Sequence, residues 1–444
     1  MTISDSHPGS KIGAADVPDA PSPPHVLGNS KLATMASRGV DLAPLWNSLV
    51  ERVNANARDA GALFDLATIA YIQGRPDDRA ALRARAFELT QIFRQPAEGG
   101  PAVVKVLAFM SGGHYLANMP IEFVLDGSSV ALDMVYVLPG RPLPHPLPDH
   151  DVAFVAIAES EENQPLLRDL SGTLRGWPRP LINRPERIAP LTRDGTWLLL
   201  NSAPGLTVPI NVRIDRAQLE HAGAGYLRMT DILAGNDFPI IARPLDTHLG
   251  DGLCKLDDAA AIRTYLRGRP EAAFHIAPFV DYRQPDGLYR KYRVALIDGR
   301  AYAVHMAVSR DWMINYVNAN MNESAAKRAE EERFMVEFDR DFGARHAAAL
   351  DAIAERTGLD YLPFDCGETR DGKLLLFELG TNMIVHAMDP PDVFPYKRPQ
   401  MIKVFAAFED MLRRRGGAVA EATLQPDAAP LAPSFGESSL TAVG

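Results

Sequence analysis

Asp365 and Glu378 stand on two apolar runs on either side of the turn Thr369-Arg370-Asp371-Gly372-Lys373, within Phe364–His386. If the runs pair as a hairpin, the two acids lie on neighbouring strands with their carboxylates converging. Paired carboxylates bind a hard cation such as Mg²⁺, which usually brings a nucleoside triphosphate with it. A nucleotide-dependent enzyme is therefore the first expectation.

Three further segments carry compatible chemistry. Phe238–Pro244 reads as a strand ending in the cation Arg243, followed by a loop holding His248, Gly250 and Gly252. Glycines let backbone N–H groups approach phosphate oxygens, although a turn alone gives the same pattern. His275–Asp281 is an extended apolar segment ending in an acid, so Ala277 and Phe279 could line a base slot and Asp281 face a ribose; a buried strand with a solvated acid is the alternative. In YRKYRVALIDGRAYAVHMAVS, turning at Asp298-Gly299, two-residue alternation puts Lys291 and Arg293 on one face, with His305 on the return strand. Cations on a buried face need partners, which phosphate oxygens could supply; a solvated edge of the sheet is the alternative.

The elements that must position these residues follow from pattern. The chain has 444 residues, 46% of them hydrophobic, which favours two or three domains with ample core. Its net charge of -10 argues against a general nucleic-acid or membrane-surface binder. Two cysteines, Cys254 and Cys366, supply neither a disulfide framework nor a zinc site. With no signal-peptide pattern and no long apolar run, a cytoplasmic location is expected. Residues 1–28 and 416–444 read as disordered tails. Residues 29–100 show helical periodicity and resemble tetratricopeptide-type units, which could engage a protein partner; a plain helical cap is favoured, because such arrays normally need about three repeats. Residues 101–214 hold short apolar runs at Val103, Val130 and Asp151, as in strands buried on both faces of a small α/β domain. Residues 215–415 read as α+β, with one long helix over Ser324–Arg356 whose Glu330, Glu331 and Glu332 form a solvated face.

Taken in order, these segments resemble the ATP-grasp superfamily over about residues 102–415. The resemblance implies an N-terminal helical segment, a small α/β pre-grasp domain (101–214), and an α+β grasp domain with a small lobe (215–275) and a large lobe (276–415). ATP would be clasped between the lobes. It implies that Arg193, in Pro185–Pro209, and Arg243 reach the phosphates where the family usually has Lys, and that Arg293 is a further phosphate-binding residue. His248–Gly252 matches the glycine loop and Ile276–Asp281 the hinge, with Asp281 on the ribose. Asp365 and Glu378 match the Mg²⁺-binding acids. The family's Glu-x-Asn is broken by Gly380, and Asn382 stands in as the third ligand. The implied reaction is ATP-driven activation of a carboxylate as an acylphosphate for attack by an amine, on an amino acid, peptide or small acid. Lys291 and His305 join Arg243 and Arg293 as catalytic candidates. A kinase, or a scaffold with a degenerate nucleotide fold, are the alternatives, and family members are often homodimers.

Overall fold

The structure is a computed structural model that describes residues 22–417, apart from 114, 246, 248, 249, 315 and 317 and the side chain of Tyr115. The predicted tails at 1–21 and 418–444 lie outside the described residues. Residues 22–28, expected in the first tail, are packed: His25 bridges to Arg94, and Val26 is buried.

Four helices come first: α1 (Gly28–Ser37), α2 (Ala43–Ala55), α3 (Ala60–Ile72) and α4 (Pro76–Leu89). They form a cap and not an open array. The middle helix α3 is buried from Ala60 to Ala70, which leaves it no face for a partner. The buried carboxylates of Asp65 and Glu122 tie the segment down, accepting from the backbone of Leu27 and of Asn29.

The first sheet holds β1 (Ile92–Gln95), β2 (Val104–Ser111), β3 (Val130–Val137), β4 (Val152–Val155) and β5 (Leu181–Ile182), in the order β1-β3-β2-β4-β5. Its core pairs are parallel, and β2 to β4 are buried nearly throughout, as the continuous apolar runs require. Two helices accompany it, α5 (Ile121–Val124) and α6 (Gln164–Thr173). The chain then forms α7 (Pro185–Ile188), α8 (Arg193–Leu200) and β6 (Leu206–Thr207).

The small lobe is a four-stranded antiparallel sheet, β7-β10-β8-β9. Its elements are β7 (Val212–Asp215), α9 (Arg216–Gly223), α10 (Met229–Ile232), β8 (Ile240–Pro244), β9 (Cys254–Leu256), α11 (Ala259–Arg267) and β10 (Ala273–Pro278). It has an apolar core of its own, from Ile214 to Ile276.

The large lobe is built from β11 (Tyr289–Ile297), β12 (Arg300–Ser309), α12 (Ala325–Val336), α13 (Phe342–Arg345), α14 (Ala347–Thr357), β13 (Tyr361–Glu368), β14 (Leu374–Leu379) and α15 (Lys397–Arg415). Its sheet runs β12-β11-β13-β14-β6. The β11–β12 turn falls at Asp298-Gly299, both at positive φ (49° and 80°), the requirement of a tight hairpin. The expected long helix is broken into three. Phe338 and Phe342 turn inward to stack on one another beneath Phe334, and that aromatic packing outweighs helical continuity. One continuous core joins the large lobe to the first sheet. The last helix seals it, with Phe408 edge-on to both Phe154 and Tyr361.

Candidate functional site

Strand register aligns the chemistry. His305 pairs with Arg293 across β12 and β11, Arg293 with Asp365 across β11 and β13, and Asp365 with Glu378 across β13 and β14. Four functional side chains therefore form one lateral row across four strands. A cavity of about 850 Å³ opens over this row, within the size range of a small-molecule site.

Facing the row are residues from the rest of the chain. Arg193 opens α8, whose cap is Thr192: its side chain accepts from the Gly195 backbone at 3.0 Å. A Cβ on Gly195 would lie 2.2 Å from the Pro190 carbonyl, so only glycine allows this helix to begin where Arg193 is needed. Arg243, near the end of β8, is aimed by its hydrogen bonds to the Thr247 carbonyl and, at 3.2 Å, to the Thr247 hydroxyl. Gly250, Ala277, Phe279, Lys291 and Asn382 complete the set of predicted residues that line this cavity. Phe279 lies edge-on to Trp312 (5.4 Å between centroids), with the Lys255 ammonium 4.8 Å from its ring, giving the hinge side an aromatic wall.

Electrostatics distinguish the two acids. Asp365 is 2% exposed. Its Oδ1 accepts from Arg293 Nε at 2.8 Å and its Oδ2 from Arg293 Nη2 at 3.0 Å, while Lys291 Nζ sits 2.7 Å from Oδ2. Burial pushes this carboxyl up, but Arg293 and Lys291 outweigh it and hold the pKa far below the ordinary range. Arg293 also donates to the Ile384 carbonyl at 3.2 Å. Glu378 pairs with Arg193 at 3.2 Å, and burial is again outweighed, here by Arg193 and Arg243, so its pKa falls. Burial and the neighbouring Arg193 lower Arg243 to about 10. Burial and Arg193 also lower His275 to about 4, and burial with Arg293 drives His305 well down, so both imidazoles are neutral.

Several expectations need correction. Asp281 is not among the residues lining the cavity: it accepts from Tyr289 and the Arg283 backbone, both at 3.1 Å, and from Arg370 at 3.0 Å. Gly252 packs under the strand end, where a Cβ would lie 2.5 Å from Pro244, and so does not line the cavity either. His248 lies outside the described residues. The metal trio does not form an open donor set. Asp365 has both oxygens engaged by cations and Glu378 pairs through Oε1 with Arg193, while Asn382 is anchored by its Nδ2 on the Leu116 carbonyl at 3.1 Å. Among the described residues no group of three His, Cys, Asp or Glu is placed to hold a metal ion. The residues present therefore do not fit Mg²⁺, which demands near-octahedral oxygen ligation and retains several waters.

Glu331 overturns the solvated-face reading of α12. It is fully buried and accepts from the Met306 backbone (3.1 Å), Tyr396 (2.6 Å) and Tyr316 (3.2 Å). Its counter-charge is Lys397, 3.2 Å away, which also reaches Asp389 at 3.3 Å. Lys397, Asp389, Tyr316 and His386 line the cavity. Sequence pattern gave no sign of Lys397 or Asp389, because their meaning lies in partners far along the chain. Thr381 is a further cavity residue that pattern missed; its buried hydroxyl has no partner among the described residues.

No family model and no curated protein matches the chain. Among solved structures, VanG D-Ala:D-Ser ligase from Enterococcus faecalis is similar at 13% identity and a TM-score of 0.41, over 70% of this chain and 100% of that one. A RimK-domain ATP-grasp protein from Sphaerobacter thermophilus is similar at 18% identity and a TM-score of 0.38, over 69% and 99%. The D-alanine–D-alanine ligase of Coxiella burnetii is similar at 10% identity and a TM-score of 0.42, over 71% and 97%.

Proposed function

We propose that the cavity binds ATP in the manner of an ATP-grasp fold and that the chain uses it to activate a carboxylate for attack by an amine. The observation that carries this reading is the row His305–Arg293–Asp365–Glu378 facing Arg193 and Arg243 across one cavity. The base would lie on the hinge side, against Ala277 and Phe279. The polyphosphate would meet Arg193 and Arg243, with Lys291 and Arg293 beneath. Around the row these four cations stand against the carboxylates of Asp365 and Glu378, which would let that part of the cleft meet phosphate oxygens.

Phosphoryl transfer places charge on equatorial oxygens, and fixed guanidinium groups in a water-poor cleft offset that charge as it develops. Arg243, held by Thr247, and Arg293, held by Asp365 and Ile384, need no reorganisation to do so. Neutral His305 stands beside Arg293 in the row and can offer its imidazole as a hydrogen-bond partner to the substrate. Magnesium would have to displace Arg293 and Lys291 from Asp365, and no step is assigned to it. The substrate class is an amino acid, peptide or other small acid, and a cytoplasmic location belongs to the same proposal. Among the described residues no helix is long and apolar enough to cross a membrane.

A second reading is favoured by one observation, the pairing of both carboxylates with protein cations: a nucleotide-binding protein that does not turn ATP over. Incubating the purified chain with ATP, magnesium and a panel of carboxylates and amines decides between them. A ligase releases ADP with a joined product detected by mass spectrometry, whereas a kinase leaves phosphate on one substrate. Retained ATP binding with no ADP release across the panel would sink the ligase reading in favour of the second.

A further inference from the structure

We propose that this cleft holds ATP without a divalent cation, the protein's own guanidinium and ammonium groups standing where a metal would. The inference rests on the nucleotide reading above and goes beyond it, since that reading leaves the metal requirement open.

Three observations support it. First, Asp365 has no unengaged oxygen. Arg293 holds it in a two-point fork (2.8 and 3.0 Å) and Lys291 adds a third contact at 2.7 Å. At 2% exposure Asp365 turns little of its surface to the cavity it lines, and the two cations stand where the water shell that Mg²⁺ keeps would go. Second, Arg293 is not a loose side chain that could swing aside. It donates to the Ile384 carbonyl at 3.2 Å, so a metal arriving at Asp365 would have to break bonds on two sides of the guanidinium. Third, the positions that would complete a metal shell are poorly supplied. Glu378 Oε1 is paired with Arg193 at 3.2 Å, the Asn382 side chain is anchored through its Nδ2 to the Leu116 carbonyl, and Gly380 has no side chain.

The same cations suit phosphate directly. Guanidinium groups present N–H donors in a planar fork that matches phosphate oxygens, which an ammonium does not. Arg193, Arg243 and Arg293 come from three different parts of the chain and line one cavity. Glu378 then acts as a placeholder, holding Arg193 in the cleft until a phosphate takes over. Its negative charge opposes the incoming triphosphate. A metal ligand at this position would do the reverse and draw the Mg²⁺ complex in.

The test is calorimetric titration of the full chain with ATP, once in EDTA and once in excess magnesium chloride. The inference expects affinities within about threefold of each other. Binding weaker by more than about tenfold in EDTA overturns it while leaving the nucleotide reading intact. No binding in either buffer overturns the nucleotide reading and this inference with it. Glu378→Gln gives an independent sign, provided its thermal melt shows an intact fold. Tighter ATP binding than wild type supports the placeholder role, and weaker binding in magnesium alone supports a metal ligand and refutes it.

Discussion

Asp365→Asn removes one charge and almost no volume, so its effect isolates the ion cluster beneath the cavity. In the wild type, Asp365 is the counter-charge of both Arg293 and Lys291. Removing one partner of a buried pair costs about 3–5 kcal/mol, because the other charge is left uncompensated. Arg293 and Lys291 are 20% and 22% exposed, so water recovers part of that cost and the low end applies, about 3 kcal/mol. For a cooperative unit of this general size each kcal/mol shifts the melting point by about 2–4 °C, which gives a drop of roughly 6–12 °C. The pH dependence has a definite sign. The folded pKa of Asp365 lies below its ordinary value of 3.8. Its contribution is therefore present in full above the unfolded pKa and is lost as pH falls toward the folded one. Urea denaturation should find a gap between wild type and Asp365→Asn that is flat from about pH 7 to 5 and narrows by about 1.4 kcal/mol per unit below about pH 4. A gap under about 0.5 kcal/mol at neutral pH, or one that widens toward acid, would refute the ion-cluster argument.

Three other outcomes are expected. Lys397→Met leaves the fully buried Glu331 facing only neutral donors, and should lower stability by about 3 kcal/mol in urea denaturation. Arg243→Ala should weaken ATP binding by about tenfold or more in calorimetry while the melting point stays close to wild type, because among the described residues its hydrogen bonds go to Thr247 alone. Ellman's reagent on the native chain should modify Cys254, which is partly exposed, and leave Cys366 untouched until denaturant is added; burial pushes the Cys366 thiol well up, so little thiolate forms.

The row at the centre of the site was half legible in the sequence. Strict alternation in the β11–β12 hairpin put Lys291 and Arg293 on one face, and the turn after Glu368 put Asp365 opposite Glu378. What alternation could not say is which charges would neutralise which. Asp365 and Arg293 were each read as partners for ligand, and the register of β11 against β13 makes them partners for each other. Asp281 failed for a related reason: its partner Arg370 sits on the turn between β13 and β14, and no local window connects the two. Glu331 was read as solvated because its neighbours Glu330 and Glu332 are acidic. Its burial is decided by Lys397 and Tyr396 at the start of α15. The break in the long helix has the same origin, since Phe338 and Phe342 answer to an aromatic cluster that includes Tyr292 of β11.

The last helix sets a timetable. Its Phe408 packs on Phe154 of the first sheet as well as on Tyr361, and Lys397 at its start neutralises Glu331. During synthesis the strands near residues 104–155 leave the ribosome long before α15 exists, and until it arrives one apolar face of that sheet has no cover. Completion of that core therefore depends on residues 397–415, and until they emerge the exposed sheet is the part of the nascent chain that a chaperone would meet.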